Sequence, residues 1–419
     1  MVRDDIIIND DNILVDILYC PQGNLGEVDA FNWVNYYEKE LIDYCDKPLN
    51  EYNIEFNHKF ESNTMHFGEK NEIFFLHLHK FCENNNINPS QITFTNANFK
   101  IWENYRLWKL NERPNAESIN FKCIFHMMNF YSEYTFNDYP LKQPENSNWI
   151  FLNHIEVNAD RPMNYVYNCL NRVPRKHRIS LFKRLHEYEL LDKGIVSFNE
   201  VRDYGIGGEN LTDEQLNMLP LYYDYENDYD NVNEWILTKV NRHQYENTDN
   251  IIDPHINHFT DIIENSFLTV VPETEYGIPE SLTWEPDFDQ SSFFCYQNGF
   301  ITEKTFRHIR DGHPMLWVSA PHTIDMLHYL GFKTFGKWFD ESYDRILNPQ
   351  LRLDAVVSEL HRICALSHNE RQQMYWDMMP VLKFNQEHLL NMRHVPVLTI
   401  DDWHKYSKDW QFAEVDRIT

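Results

Sequence analysis

Short apolar runs alternate with amphipathic stretches over the first 150 residues of the chain. Runs bounded by Asn, Asp, Gly or Pro are typical of strands, and apolar positions that recur every three or four residues are typical of helices. The pattern predicts strands at Ile13–Tyr19, Ile92–Ala97 and Phe121–Met127, and helices at Ala30–Tyr44, Ile73–Cys82 and Trp102–Leu110. This alternation indicates a parallel sheet in a doubly wound α/β unit.

The same alternation returns after a polar segment that contains Pro140 and Pro144. It predicts strands at Tyr165–Leu170, Gly194–Phe198, Phe267–Val271 and Met315–Val318, and helices at Lys176–Glu189, Thr302–Arg310 and His322–Leu330. An acidic stretch at 200–250, rich in Tyr and Asn, is expected to be a surface excursion. We therefore expect two Rossmann-like domains, at 1–158 and 159–380, and a helical tail at 381–419 that packs back on the first. Two such domains would face each other across a cleft at the carboxyl ends of their strands, where ligands bind.

The net charge of -28 argues against a wide basic surface for a nucleic-acid backbone or an anionic membrane. The seven cysteines are widely spaced and form no CxxC pair, so we expect reduced thiols rather than disulfides or structural zinc. The first eleven residues carry four acidic side chains, which is unlike a signal peptide, and no run approaches the ~18 apolar residues of a membrane span. These features predict a cytoplasmic protein, in the host cytoplasm if it is viral.

The segment Thr302-Glu303-Lys304 carries the strongest functional pattern in the chain. Thr302 occupies the position of a helix N-cap, so Glu303 and Lys304 fall in the first turn of the predicted helix. A carboxylate there can accept hydrogen bonds from two ribose hydroxyls, and a lysine beside the helix N-terminus can hold a diphosphate. The other interpretation is an ordinary helix cap with one solvated lysine.

A basic segment, Asn171-Arg172-Val173-Pro174-Arg175-Lys176-His177-Arg178, lies between a predicted strand and a predicted helix. Its place at the carboxyl edge of a sheet suits arginines that bind phosphate oxygens. It is also consistent with a solvated basic loop in an acidic protein. The pair Glu273-Thr274 follows another predicted strand, and this glutamate could bind sugar hydroxyls.

The stretch Phe300–Pro314, with its ITEKTF core, resembles the donor-binding signature of the α1,3-fucosyltransferase-like enzymes. It is more similar still to glycosyltransferase-like proteins encoded by phages and large viruses, whose following run is matched by Gly331–Phe335 and Trp338–Asp344. The resemblance includes the basic segment and Glu273-Thr274, and it covers roughly 165–344. Residues 1–150 show no such similarity beyond a compatible fold.

This resemblance implies a GT-B fold, with a nucleotide-diphosphate sugar of the GDP or UDP type bound by the second domain. Lys304 and an arginine, Arg178 first and then Arg175 or Arg172, would bind the diphosphate. Glu303 would bind the ribose, with Thr302, Glu273 and Thr274 nearby. The sugar donor is then a co-substrate, with no resident cofactor and no required metal, because cations of the protein stabilise the leaving diphosphate. The acceptor would be a hydroxyl of a glycan or of a modified base in phage DNA.

An inverting transferase also needs a base that takes the proton of the acceptor hydroxyl. The loops of the first part offer four candidates, none favoured over the others: Asp10, Glu27, Asp29 and Glu156. A retaining enzyme needs no such base, and the sequence leaves both courses open.

Two other functions compete with transfer. A degenerate transferase could serve as a non-catalytic nucleotide- or glycan-binding subunit, and donor turnover rather than binding alone distinguishes the two. An NAD-dependent oxidoreductase would need a GxGxxG motif after a strand, and the glycines at 205, 207 and 208 have the wrong spacing. The histidine pairs His77/His79 and His255/His258 lack a third ligand nearby, so we expect no metal site.

Overall fold

A computed structural model of the chain describes residues 6–16, 33–57, 69–125, 128, 157–158, 160–171, 176–198, 262–274, 276, 299–392, 394 and 396–407. In chain order the strands are β1 Ile6–Asn9, β2 Asn12–Asp16, β3 Asn53–Asn57, β4 Ile92–Asn96, β5 Asn120–Ile124, β6 Tyr165–Asn171, β7 Gly194–Phe198, β8 Ser266–Pro272, β9 Met315–Val318 and β10 Val397–Leu398. The helices are α1 Trp33–Tyr44, α2 Glu69–Asn84, α3 Ile101–Glu112, α4 Lys176–Glu187, α5 Glu303–Arg310, α6 Thr323–Tyr329, α7 Pro349–Cys364, α8 His368–Leu390 and α9 Ile400–Ser407.

The first sheet has the order β1-β2-β3-β4-β5-β10 and is parallel from β2 to β5. Alternate residues of its central strands, such as Ile54 and Phe56, are buried in an apolar core. The antiparallel strands β1 and β10 form its two edges. The hairpin turn between β1 and β2 contains Asp10, whose φ of 47° is tolerated by Asp better than by most residues.

The second sheet has the order β7-β6-β8-β9, and all of its pairs are parallel. All seven residues of β8 are buried, as expected for a strand covered on both faces. After β6 the chain adds β7 on one side and later returns to add β8 on the other. The strand order therefore reverses between β6 and β8, which makes this a topological switch point.

The described part of the chain is thus a mixed α/β protein with two sheets rich in parallel pairs, which is compatible with the Rossmann-like prediction. The predicted bounds of β7 and β9 are confirmed, and helix α5 begins one residue after its predicted start because Thr302 is the N-cap. Strands β1 and β3 were not predicted. Helix α8 runs through residue 380, so a unit that ends there would end within a helix.

The C-terminal residues contact the first sheet, because β10 pairs with β5 and Trp403 of α9 stacks on Trp102 with ring centroids 5.6 Å apart. A second contact joins the loop after β4 to the segment before α5. There, the Phe99 amide donates to the Gly299 carbonyl over 2.9 Å, and the Gly299 amide donates to Oδ1 of Asn98 over 2.9 Å. The carboxyl end of β4 therefore contacts the segment that leads into Thr302-Glu303-Lys304.

Candidate functional site

The residue that organises the site is Glu273, which directly follows β8 and has no solvent exposure. Its Oε1 accepts hydrogen bonds from the Thr302 amide at 3.2 Å and from the Thr305 hydroxyl at 2.6 Å. Its Oε2 accepts from the Thr302 hydroxyl at 2.5 Å. A carboxylate at a helix N-terminus is also favoured by the helix dipole. Glu273 therefore fixes the start of α5 against the end of β8.

Thr302 is the N-cap of α5, as the sequence predicts, and its hydroxyl accepts a hydrogen bond from the Lys304 amide at 3.3 Å. Thr305 in the same turn accepts a hydrogen bond from the indole N–H of Trp317 at 3.2 Å. Because Trp317 belongs to β9, the first turn of α5 is held by residues of both neighbouring strands.

Lys304 lies at the centre of the polar contacts on the outer side of this turn. Its ammonium group donates to Oγ1 of Thr274 at 3.0 Å, to Oε1 of Glu303 at 3.1 Å and to Oγ1 of Thr302 at 3.2 Å. The Lys304 side chain is 28% exposed and that of Glu303 is 38% exposed. Both side chains are thus held in place by hydrogen bonds and remain accessible in part.

The hydrogen bond to Lys304 uses only one oxygen of the Glu303 carboxylate. Oε2 is buried and has no hydrogen-bond partner among the described residues. Burial acts to raise the pKa of this carboxyl, but the ammonium group and hydrogen bond of Lys304 hold the pKa below its ordinary value. The group is therefore an ionised acceptor at neutral pH, and a buried carboxylate oxygen is costly until a donor reaches it.

Two residues from the first turn of α4 contact the same end of β8. The guanidinium Nη2 of Arg178 donates to the carbonyl oxygens of Pro272 and Glu273 at 3.2 Å and 3.3 Å. Nε2 of His177 donates to the Glu273 carbonyl at 2.9 Å, and the His177 ring stacks on Tyr276. Arg178 is only 3% exposed. Its positive charge is thus fixed beside the Glu273–Lys304 network.

The structure therefore brings together six of the residues singled out in the sequence. They are Arg178, Glu273, Thr274, Thr302, Glu303 and Lys304. They surround the carboxyl end of β8, next to the switch point between β6 and β8, which is where open α/β sheets bind ligands. The role expected for Glu273 differs, because its carboxylate is fully used in fixing Thr302 and Thr305 and does not reach outward to a sugar.

The remaining candidates fall elsewhere. Asp10 lies in the β1–β2 turn, at the amino end of β2, and so is not at the carboxyl edge of the first sheet. Arg172, Arg175, Glu27, Asp29 and Glu156 lie outside the residues that the structure describes.

A second charged group, at the carboxyl end of β9, was not found from the sequence. His322 has a φ of 68°, and its Nδ1 lies 3.0 Å from Oδ2 of Asp325. Asp344 accepts a hydrogen bond from the Ile324 amide at 3.0 Å, and burial raises the pKa of Asp344 to about 8. Lys100, next to Phe99 at the end of the first sheet, acts electrostatically on Asp344, while burial lowers the pKa of Lys100 to about 7.

Comparison of the chain with family models, curated protein sequences and solved structures finds no match. Within the described residues, no group of three or more His, Cys, Asp or Glu side chains could hold a metal ion. No helix in the same residues has the length and apolar character needed to cross a membrane. The chemistry around β8 and the sequence resemblance are therefore the grounds for a function.

Proposed function

We propose that the protein is a glycosyltransferase that moves a sugar from a nucleotide-diphosphate donor to a hydroxyl acceptor. The observation that carries the proposal is the paired geometry of Glu303 and Lys304, in which a held ammonium group adjoins an ionised carboxylate. One oxygen of that carboxylate has no partner in the part of the chain that the structure describes. A nucleoside diphosphate offers both complements within one molecule, namely anionic phosphate oxygens and the hydroxyl groups of its ribose.

In this proposal the donor exchanges partners with the site. Phosphate oxygens replace Oε1 of Glu303 as acceptors for Lys304, which leaves the Glu303 carboxylate to accept hydrogen bonds from the ribose. The fixed charge of Arg178 and the N-terminus of α5 add favourable electrostatics for the diphosphate. When the bond to the sugar breaks, the same cations stabilise the negative charge on the leaving diphosphate, so the reaction needs no metal.

The wider setting is part of the same proposal. The two sheets would correspond to the two Rossmann-like domains of a GT-B enzyme, with the acceptor bound on the first. The acceptor would be a glycan hydroxyl or the hydroxyl of a modified base in phage DNA, and the reaction would take place in the cytoplasm.

The first test is calorimetric titration of the protein with GDP, UDP and their sugars, without metal and then with Mg²⁺ or Mn²⁺. We expect binding without metal, and Lys304→Ala should weaken it by roughly 10- to 100-fold through loss of a charge-assisted hydrogen bond. Lys109→Ala is the matched control, because Lys109 lies on α3 and its ammonium group donates to Ser118 instead. Normal affinity of Lys304→Ala for nucleoside diphosphates would show that the donor does not bind at the first turn of α5. Binding without any sugar turnover would instead support the non-catalytic subunit.

Glu303 allows a sharper version of this test. If its carboxylate binds the ribose, the wild type should prefer GDP or UDP to the corresponding 2′-deoxy or 3′-deoxy nucleotide. Glu303→Ala should remove at least one of these preferences and leave the free energy of unfolding nearly unchanged. A preference that survives the substitution would assign Glu303 to another partner.

A further inference from the structure

A polar pair lies at the carboxyl edge of the first sheet. Strands β2 and β3 run parallel with Asp16 opposite Asn57, and each of these residues is the last of its strand. Nδ2 of Asn57 donates to Oδ1 of Asp16 at 3.2 Å. The two side chains therefore lie side by side on one face of the sheet.

Asn57 carries a polar atom that nothing in the described structure satisfies. The residue is 7% exposed, and its Oδ1 is buried without a hydrogen-bond partner among the described residues. Most buried side-chain oxygens in proteins accept a hydrogen bond, and leaving one unmade costs about 1–3 kcal/mol. With its amide nitrogen bonded to Asp16, the carbonyl oxygen of Asn57 can be satisfied only by a donor such as a hydroxyl.

The pair lies on the same edge of the first sheet as the loop that contacts the segment before α5. β4 follows β3 in the sheet, and the loop after β4 is bonded to Gly299, three residues before Thr302. Neighbouring strands are about 4.8 Å apart, so Asn57 lies about 5 Å, and Asp16 about 10 Å, along the edge from the end of β4. The carboxylate and amide thus lie on the edge whose loop is hydrogen-bonded to the segment that leads into the site around β8.

We propose that Asp16 and Asn57 bind the acceptor hydroxyl and that Asp16 takes its proton, an inference that rests on the proposed transferase function. Asn57 holds the Asp16 carboxylate in place through its amide and accepts a second hydroxyl of the acceptor through Oδ1. As the acceptor oxygen forms its bond to the anomeric carbon, the proton passes to Asp16. The bond between that carbon and the diphosphate breaks, and the diphosphate leaves with the electron pair. The sugar is thereby transferred with inversion.

Glu55 lies on the same face of β3, and its carboxylate holds neighbouring side chains. The two carboxylate oxygens of Glu55 are occupied by the hydroxyl of Thr95 at 2.9 Å and the ammonium group of Lys122 at 2.8 Å. Asp10 lies at the other end of β2. An Asp10→Asn variant is therefore a matched control for Asp16→Asn, since it removes the same charge from the turn before β2, at the opposite end of that strand.

The test measures GDP and UDP binding by calorimetry and, separately, the release of sugar from the GDP- and UDP-sugars, with water and methyl glycosides as acceptors. We expect Asp16→Asn to lower the rate of release by at least about 100-fold, while its dissociation constant for the nucleoside diphosphate stays within about twofold of wild type. Asp10→Asn should match the wild type in both measurements. Added formate should restore part of the rate in Asp16→Ala, because a small carboxylate can take the proton in place of the missing side chain.

The outcomes separate this proposal from the one on which it rests. A wild type that binds no nucleoside diphosphate would refute the donor site, and the acceptor site with it. Normal sugar release by Asp16→Asn, in a protein that binds nucleotide, would overturn the acceptor site alone. A wild type that binds nucleotide but releases sugar from none of the donors would also overturn the role of Asp16 and leave the nucleotide site intact.

Discussion

Glu273 lies where β8 meets the first turn of α5, and its carboxylate accepts three hydrogen bonds from that turn. Glu303 lies in the same turn, yet one of its oxygens has no partner among the described residues. These two glutamates lie close together and have different roles. The buried one fixes the geometry of the turn, and the half-exposed one is left with capacity for a ligand.

This contrast predicts different effects for the same substitution at the two positions. Glu273→Gln replaces an acceptor oxygen by an NH₂ group that faces hydroxyl and amide donors, so the free energy of unfolding should fall by about 2 kcal/mol. Glu303→Gln should change stability by less than about 0.5 kcal/mol and weaken nucleotide binding instead. Urea denaturation and calorimetry on the two variants measure both effects. Equal stability of the two variants would contradict the positioning role of Glu273.

The candidate site residues could be predicted from the sequence because each carries a local signal. Thr302 has the features of an N-cap, Glu303 and Lys304 follow it directly, and Arg178 belongs to a dense run of cations in an acidic chain. The role of Glu273 and the pairing of Asp16 with Asn57 depend on contacts between residues 29 to 41 positions apart. No spacing rule within one segment reports such contacts.

At the scale of elements, the strands predicted from the sequence include β8 and β9, which are almost continuously apolar. Strand β3 was not predicted because Asn and Glu, which are depleted in strands, fill three of its five positions, whereas β4 has Thr93 and Thr95 between its apolar residues. The polar side chains of β3 lie on the face that carries Asp16 and Asn57. Strand β10 has only two residues and exists by pairing with β5, so tertiary contact rather than local preference forms it.

The contact between the loop after β4 and Gly299, in the segment before α5, leads to a prediction for that loop. A Cβ atom at this position would lie 2.5 Å from atoms of the Phe99 ring, which is far closer than van der Waals contact allows. Gly299→Ala must therefore displace the loop and the segment before Thr302, with a loss of about 1–3 kcal/mol in the free energy of unfolding. Nucleotide affinity should fall as well, because that segment leads into the proposed donor site.

The control for Gly299→Ala is the double variant with Phe99→Ala, which removes the ring that causes the clash. We expect the two changes to be non-additive, with the double variant more stable than the sum of the single effects predicts. Denaturation of the two single variants and the double variant measures the coupling. Strict additivity would show that the Phe99 ring does not oppose a side chain at position 299.

At the scale of the whole molecule, α5 is held at both ends. Glu273 fixes its first turn. Helix α8 contacts its last residue, because Nε2 of Gln386 donates to the Arg310 carbonyl at 2.5 Å. The hydroxyl of Tyr375, also on α8, donates at 3.1 Å to the carbonyl of Gly312, two residues after α5 ends. Beside this end lies a buried polar cluster, in which Arg161 donates to Nδ1 of His313 at 3.2 Å. Because arginine can only donate, His313 must be neutral there. Residues as far apart in the chain as Arg161 and Gln386 thus support α5 and the turn that follows it.

Buried neutral histidines make the stability of this arrangement depend on pH. Burial lowers the pKa of His308 and of His322 to about 3, and that of His313 well below its usual value. Between pH 6.5 and about 3 these histidines therefore bind more protons in the unfolded chain than in the folded one. Their contribution to the free energy of unfolding falls as the pH drops below 6.5. Each such histidine contributes up to about 1.4 kcal/mol per pH unit to the slope of the unfolding free energy against pH. The pKa of Asp344 is raised to about 8, so this residue contributes a slope of opposite sign between about pH 4 and 8.

His308→Gln should isolate one of these contributions. We expect the mean slope of the unfolding free energy between pH 5 and 6.5, from urea denaturation, to decrease by about 1 kcal/mol per pH unit relative to wild type, whatever the absolute stability of the variant. His361→Gln is the control, because His361 is an exposed histidine on α7 and the substitution leaves the buried histidines in place. An unchanged slope in His308→Gln would mean that His308 binds its proton in the folded protein, which is incompatible with its burial beneath β8. The pH profile thus tests, without any ligand, whether the core that supports α5 is packed as described.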